Sequence, residues 1–259
     1  MSLGKMYLNG KWAEAAEGGK REILNPATNE VIATVAEGSA KDADRAILAA
    51  RKAFDEGPWP SMLAVERASL LFKLADKIDS HADELAELDT RNVGKPLRES
   101  KYDVADTANC FRYYAGLITK SLGQTYNVPD PNITSMVVRE PIGVCAQIIP
   151  WNYPLLMASW KLAPGLAAGN CCILKPSETT PLSAIKLFEL IDELDFPPGS
   201  VQLVLGDGPS VGMPLAESHL VDKVAFTGGT VTGRKIMQAA VGNLKKVIEG
   251  EDIGTLVHN

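Results

Sequence analysis

The sequence lacks the features that would direct it to nucleic acid or into a membrane. Its 26 basic and 32 acidic residues give a net charge of -6 without any block of like charges, so neither nucleic acid nor an anionic membrane is an expected partner. No apolar run reaches about 18 residues, the length of a membrane span, and the opening MSLGKMYLNGKW has no apolar signal segment. We therefore expect a cytoplasmic protein.

Cysteine and histidine are scarce, with four and three residues respectively. Cys110, Cys145, Cys171 and Cys172 form no C-x-x-C pair and have no histidine at metal-ligand spacing. Their apolar surroundings favour structural thiols in the core. We predict no metal site.

The composition is otherwise that of a folded globular protein, with 46% hydrophobic and 22% charged residues. Residues 1–38 contain short β-prone runs separated by turn formers, as in YLNGKW, and these predict hairpins. Ser39, followed by Asp42 three residues later, predicts the beginning of a helix. The chain therefore opens with hairpins and then becomes helical.

Two more amphipathic helices are predicted before residue 123. Ser61 precedes a helical pattern that puts Val65, Ala68, Phe72 and Ala75 on the buried face, and Val104 and Phe111 mark a helix after the NVGKP break. We assign residues 1–123 to N-terminal hairpins and helices. The next residues, 124–142, combine turn formers with ITSMVVRE, which predicts a β-ribbon that pairs with another subunit in a homo-oligomer.

From Gly143 onward, apolar strands alternate with helices, beginning GVCAQIIP, LLMASWKLAPGLAAG, CCILKP. This order predicts βαβ units and an α/β fold with a doubly wound, Rossmann-like parallel sheet over 143–259. Ligands of such sheets bind beyond the carboxyl ends of the strands. The turns after IIP, ILKP, VLG and AFTG are therefore the candidate site.

The turn after VLG supports three interpretations. Its glycines, Gly206, Gly208 and Gly212, could let backbone N–H groups approach a phosphate, although the spacing is not G-x-G-x-x-G. Alternatively the turn is purely structural. The same residues also match G-x-S-x-G, the nucleophile elbow of hydrolases, with Ser210 as nucleophile and only His219 and His258 downstream.

Two other turns carry polar groups. Lys175 and Glu178 could bind the hydroxyls of a ribose, or could be ordinary surface charges in solvent. Trp151 and Asn152 follow the first strand of this region; the amide could stabilise a developing oxyanion, whereas core packing and a helix cap are the structural alternatives.

Taken together, IIPWNYPLL, WKLAPGLAAGN, ILKPSE, LVLGDGP and AFTGGTVTG, in this order, resemble the aldehyde dehydrogenase superfamily. NPATNEVI and NVGKP fit the same family, and the similarity runs from about Met6 to Val247. The segment FRYYAGLITK, together with the glycine in TGGT, looks most like the betaine aldehyde dehydrogenase branch.

The resemblance implies that a cysteine thiolate attacks a small aldehyde, that NAD accepts the hydride, and that a glutamate-activated water releases the acid. It makes Asn152 the oxyanion donor. Lys175 and Glu178 would hold the adenosine ribose, and Glu178 would favour NAD over NADP. Residues at a helix N-terminus would approach the pyrophosphate. The full set of cofactor-binding residues that it implies is Ile148, Pro150, Trp151, Lys175, Ser177, Glu178, Gly208, Thr227, Gly228 and Gly229.

Departures from the family pattern limit this transfer. Gly229 stands where many members have a phosphate-binding serine, and Gly165 replaces the usual alanine, at a cost of about 1 kcal/mol of helix stability. Gly250 is in register with the general-base glutamate, and Glu249 and Glu251 are each one residue away from it. A one-residue shift on a strand turns a side chain to the opposite face, so Glu249 and Glu251 stay alternative candidates for the base.

None of the four cysteines lies in the family's nucleophile motif. We therefore expect a truncated form without its catalytic domain and with little dehydrogenase activity. The alternative is an NAD-binding or interaction protein that does not need catalysis.

Overall fold

The computed structural model describes residues 4–120 and 123–249. Its helices are α1 (Ala40–Glu56), α2 (Ala64–Ser80), α3 (Ala82–Val93), α4 (Leu97–Leu117), α5 (Pro154–Ala167), α6 (Leu182–Asp192), α7 (Met213–Glu217) and α8 (Thr230–Ala239). Its strands are β1 (Met6–Leu8), β2 (Lys11–Ala13), β3 (Lys20–Leu24), β4 (Val31–Ala36), β5 (Gln124–Tyr126), β6 (Ser135–Val137), β7 (Val144–Ile148), β8 (Cys171–Lys175), β9 (Val201–Leu203), β10 (Lys223–Phe226) and β11 (Lys246–Glu249). The predicted α/β class is confirmed.

The main sheet has the strand order β11-β10-β7-β8-β9-β1-β2. Strands β7 to β11 pair in parallel, and the order reverses at β7, as expected of a doubly wound sheet. Strands β7 and β8 are buried along their whole length, with α1 and α5 packed against them. Continuous apolar strands of this kind need cover on both faces.

The N-terminal hairpin β1–β2 completes one edge of this sheet by antiparallel pairing. Tyr7 lies opposite Leu203 of β9, and the Asn9 backbone N–H donates to the Gln202 side chain at 3.0 Å. The sequence predicts the hairpin but not its partner. The second hairpin, β3–β4, forms a separate two-stranded sheet.

Helix α1 begins where the sequence predicts. The Asp42 carboxylate accepts from the backbone N–H of Ser39 at 3.1 Å and from that of Ala16 at 3.0 Å. A helix cap that also binds the preceding segment ties α1 to the hairpin region.

The predicted buried face of α2 is correct in part, because Ala68 and Ala75 are buried but Val65 and Phe72 are not. Val65 is 60% exposed and Phe72 is 42% exposed, whereas Leu71, Leu74 and Ile78 are fully buried. The helix is apolar on more than one side, so spacing alone does not fix its rotation. The helix begins at Ala64, three residues after the predicted Ser61.

At the amino ends of the parallel strands, side chains satisfy the backbone. Asn170 Oδ1 accepts from the N–H groups of Ile142 at 2.7 Å and Gly143 at 3.1 Å. Asp222 Oδ2 accepts from the Val144 N–H at 2.7 Å and from the Arg51 guanidinium at 2.8 Å. Side chains therefore satisfy the backbone N–H groups that enter β7 at this edge of the sheet.

Strands β5 and β6 form a ribbon within the predicted range 124–142, with Tyr126, Ile133, Met136, Val137 and Val138 all exposed. Its role in oligomerisation stays a prediction. Within the described residues, no helix is both long enough and apolar enough to span a bilayer.

Candidate functional site

A cleft of about 550 Å³ lies at the carboxyl ends of the parallel strands. Every residue predicted to bind the cofactor lines it: Ile148, Pro150, Trp151, Lys175, Ser177, Glu178, Gly208, Thr227, Gly228 and Gly229. Gly212 of the glycine-rich turn also lines it, and the lining residues that the sequence did not indicate are Ile149, Pro209, Met213, Phe226, Thr232, Lys235 and Ile236. The volume is within the range of small-molecule sites, roughly 300–1,000 Å³.

The turn after β8 brings a buried cation to the cleft. Lys175 is only 3% exposed; its Nζ donates to the Pro176 carbonyl at 3.0 Å and lies 3.6 Å from Glu178 Oε2. Burial lowers the pKa of Lys175, and Glu178 and Asp207 oppose that shift. The alternative of surface charges in solvent is therefore wrong for this lysine.

The turn after β10 leads into the N-terminus of α8. Gly229 is the N-cap residue, so no side chain there can accept from the first amide groups of the helix. A Cβ atom at Gly229 would have no neighbour within 4 Å among the described residues. A helix N-terminus without a side-chain cap favours an anion.

The glycine-rich turn after β9 is organised by Asp207. Its Oδ1 accepts from the Ser210 N–H at 2.7 Å, and this backbone hydrogen bond lowers the pKa of Asp207. Gly206 has a φ of +140°, where a Cβ atom would lie 2.5 Å from Val211. Among the described residues no histidine bonds to Ser210, and His219 lies instead beside Gly242, so this part of the chain gives no support to a hydrolase triad. His258 lies outside the described residues.

Trp151 and Asn152 occupy the loop between β7 and α5. Trp151 is 59% exposed and lines the cleft, and its carbonyl accepts from the Thr180 hydroxyl at 3.0 Å. Core packing is therefore the wrong explanation of this tryptophan. Asn152 is exposed and does not line the cleft, so the structure does not group it with the cofactor residues. The N-cap of α5 is Tyr153, which removes helix capping as the role of Asn152.

One of the two candidate bases lies at the end of β11. Glu249 is the last residue of β11, and its backbone is in register with Phe226 of β10. Glu251 lies outside the described residues. Both stay predictions.

The four thiols are in apolar surroundings, as expected. Burial raises the pKa of Cys110 to about 11 and of Cys145 and Cys171 to about 12, and it raises that of Cys172 as well. Such thiols stay protonated at neutral pH and are poor nucleophiles. The described residues contain no cluster of three or more His, Cys, Asp or Glu that could hold a metal ion.

A buried lysine beneath the cleft was missed. Lys161 of α5 is 4% exposed, and its Nζ donates to the Thr227 hydroxyl at 2.9 Å. Burial, and secondly repulsion from Lys223, lowers the pKa of Lys161 to about 8. The sequence did contain a signal for its burial, because Lys161 lies within a helix that is apolar on nearly every side.

These observations define a doubly wound α/β protein whose cleft, lined by buried and backbone polar groups, lies at the carboxyl edge of the sheet. The particular family follows from comparison with known proteins: residues 12–249 match the family model described as "Aldehyde dehydrogenase family", and the chain belongs to that family.

The relatives support the predicted betaine aldehyde branch. Betaine aldehyde dehydrogenase of Bacillus subtilis is 52% identical over 242 residues, which cover 93% of this chain and 49% of that protein. Aldehyde dehydrogenase 1A1 of Mesocricetus auratus is 46% identical, covering 94% of this chain and 49% of that protein. The chain thus spans about half the length of the curated relatives it matches.

Solved structures agree with the fold. The crystal structure of betaine aldehyde dehydrogenase from Staphylococcus aureus in complex with NAD+ superposes with a TM-score of 0.93 at 47% identity. The match covers 95% of this chain and 49% of that one. The resemblance inferred from the motifs is therefore confirmed.

Proposed function

We propose that this chain binds NAD+ in the cleft at the carboxyl edge of the sheet, as the cofactor-binding part of an NAD-dependent aldehyde dehydrogenase. The observation that carries the proposal is that turns far apart in the sequence converge on one cleft, lined by every residue expected to bind the cofactor. Structural relatives in complex with NAD+ support it.

The geometry suits the parts of a dinucleotide differently. Lys175 and Glu178, held 3.6 Å apart, suit the two hydroxyls of the adenosine ribose. The uncapped N-terminus of α8, behind Gly228 and Gly229, suits the pyrophosphate. In this assignment Gly208 lies by the adenine, and Trp151 lines the part of the cleft that leads to the nicotinamide.

For the reaction we propose oxidation of a small aldehyde, betaine aldehyde being the candidate, to its carboxylic acid. Bound NAD+ supplies the hydride acceptor. Asn152 would donate to the oxyanion, and Glu249 or Glu251 would serve as the general base. The nucleophile is not among the cysteines of this chain, because burial keeps the described thiols protonated.

Association through the 124–142 ribbon belongs to the same proposal. Its exposed apolar side chains, which include Tyr126, Met136 and Val138, are of the kind that packs between subunits. A homo-oligomer is the arrangement that we expect.

A second candidate is a binding protein that holds NAD+ without oxidising an aldehyde. The raised pKa values of the four thiols favour it, since they provide no thiolate for covalent catalysis. The two candidates share the cleft and differ only in turnover.

Calorimetric titration of NAD+ into the purified chain tests the shared part. We expect saturable binding, weakened about tenfold or more by Glu178→Ala or Lys175→Ala, because each removes a hydrogen bond to a ribose hydroxyl. Absence of any heat of binding in the parent would refute the proposal. A rise in NADH absorbance on addition of betaine aldehyde would exclude the second candidate.

A further inference from the structure

An ion pair lies close behind the turn proposed to hold the ribose. Arg21 of β3 and Glu37, which directly follows β4, face each other in a two-point contact, with Nη2 2.8 Å from Oε1 and Nε bonded to Oε2. Their side chains are 35% and 22% exposed. A bidentate pair of this kind fixes both side chains and cancels both charges.

This pair borders the proposed ribose site. Arg21 and Glu37 line a narrow crevice together with Ser177 and Glu178, and those two residues also line the cleft. The Ser177–Glu178 turn therefore borders both the crevice that holds the ion pair and the cleft. Arg21 and Glu178 also both line a neighbouring pocket, and Trp151 lines that pocket as well as the cleft.

The charges around this turn add up to an acidic environment. Arg21 and Lys175 are the cations, and Glu37, Glu178 and Asp207 are the anions; all five interact electrostatically. Hydrogen bonding to Glu37 raises the pKa of Arg21, while Glu178 and Asp207 act on it more weakly. A ribose with free hydroxyls suits this arrangement, whereas a 2′-phosphate would add a group of charge about -2 to a net negative set.

On the basis of the proposed function, we propose that Glu37 is a second determinant of selection for NAD+ over NADP+. Glu178 opposes a 2′-phosphate directly, and Glu37 acts from behind by neutralising Arg21, the guanidinium beside the ribose turn. Without Glu37, Arg21 becomes an unpaired cation next to the ribose and can attract a 2′-phosphate.

Calorimetric titration of NAD+ and NADP+ into the parent, Glu37→Gln and Glu37→Gln/Arg21→Gln tests this role. We expect Glu37→Gln to tighten NADP+ binding about tenfold and to change NAD+ binding less than about twofold, since it uncovers one charge-assisted contact. Addition of Arg21→Gln should abolish the gain. Glu17→Gln, which makes the same change of charge in the Glu17–Lys41 surface pair, should alter neither affinity.

An unchanged ratio of NADP+ to NAD+ affinity in Glu37→Gln, or a gain that persists without Arg21, would overturn the inference while leaving NAD+ binding intact. A parent that fails to bind NAD+ would overturn the inference and the proposed function together. If circular dichroism shows that Glu37→Gln does not fold, Arg21→Gln alone gives the reciprocal test. It leaves Glu37 unneutralised and should lower the NADP+ to NAD+ affinity ratio further, and an unchanged ratio would again refute the role.

Discussion

The amino and carboxyl edges of the parallel sheet differ in whether side chains bond the backbone groups there. At the amino edge, Asn170 and Asp222 accept hydrogen bonds from the backbone that enters the strands. At the carboxyl edge, Gly229 leaves the start of α8 without a side-chain cap. The amino edge is thus stabilised by its own side chains, whereas the carboxyl edge has a helix N-terminus without a side-chain cap, which suits a ligand.

Adding one methyl group at each edge tests this difference between the edges, and it has the largest expected effect. Gly143 has a φ of +133°, and a Cβ atom there would lie 1.8 Å from Asp222 Oδ2. We expect Gly143→Ala to lower the free energy of unfolding by about 3 kcal/mol or more, through backbone strain and overpacking. Gly229→Ala, at a φ of -69° and in open space, should change it by about 0.5 kcal/mol at most. Urea unfolding of both variants is the measurement, and equal losses would show that the edges do not differ.

The buried lysine beneath the cleft gives the next largest effect. Lys161 has its pKa lowered to about 8 from an ordinary 10.5, so the unfolded chain holds more protons between pH 8 and 10.5. Stability should therefore rise with pH across this window, by up to about 3 kcal/mol in the parent relative to Lys161→Met. Unfolding curves at pH 7.5, 9 and 10.5 measure it, with the exposed Lys73→Met as control. If the difference in free energy of unfolding between the parent and Lys161→Met stayed constant with pH, the prediction that burial lowers the pKa of Lys161 would be refuted.

The middle of the sheet offers a smaller test of close packing. A Cβ atom at Gly165 would lie 2.7 Å from Cys172 Sγ and 2.8 Å from Gln147 Nε2. Although alanine favours helices by about 1 kcal/mol, we expect Gly165→Ala to destabilise the protein by about 2 kcal/mol. Cys172→Ala should relieve part of this loss, with a coupling of about 1 kcal/mol in a double-mutant cycle. Purely additive losses would mean that the two sites do not touch.

Gly165 also shows where sequence reasoning fails. Helix propensity alone makes this glycine unfavourable. The structure shows that the absence of a side chain lets Cys172 and Gln147 pack directly against the helix. Contacts between residues distant in sequence are invisible to propensity. The same limit hid the burial of Lys175 and the separation of Asn152 from the cleft.

Local signals fared better. The alternation of apolar strands and helices after Gly143 predicted the parallel sheet, because buried strands and amphipathic helices have distinct periods. It also located the cleft, since the carboxyl ends of parallel strands share an edge. The rotation of α2 was predicted only in part, because apolar residues on two sides of the helix make Val65 and Leu71 equally plausible core residues.

The pairing of the β1–β2 hairpin with β9 constrains the order in which strands can join the main sheet during folding. Asn9 and Gln202, whose hydrogen bond joins the hairpin to the sheet, are 193 residues apart in sequence. During synthesis on the ribosome, the hairpin must wait until β9 has emerged, so β1 and β2 reach their places in the sheet long after they are made. Contacts between such distant residues slow folding, and until they form the β9 edge stays open to other chains.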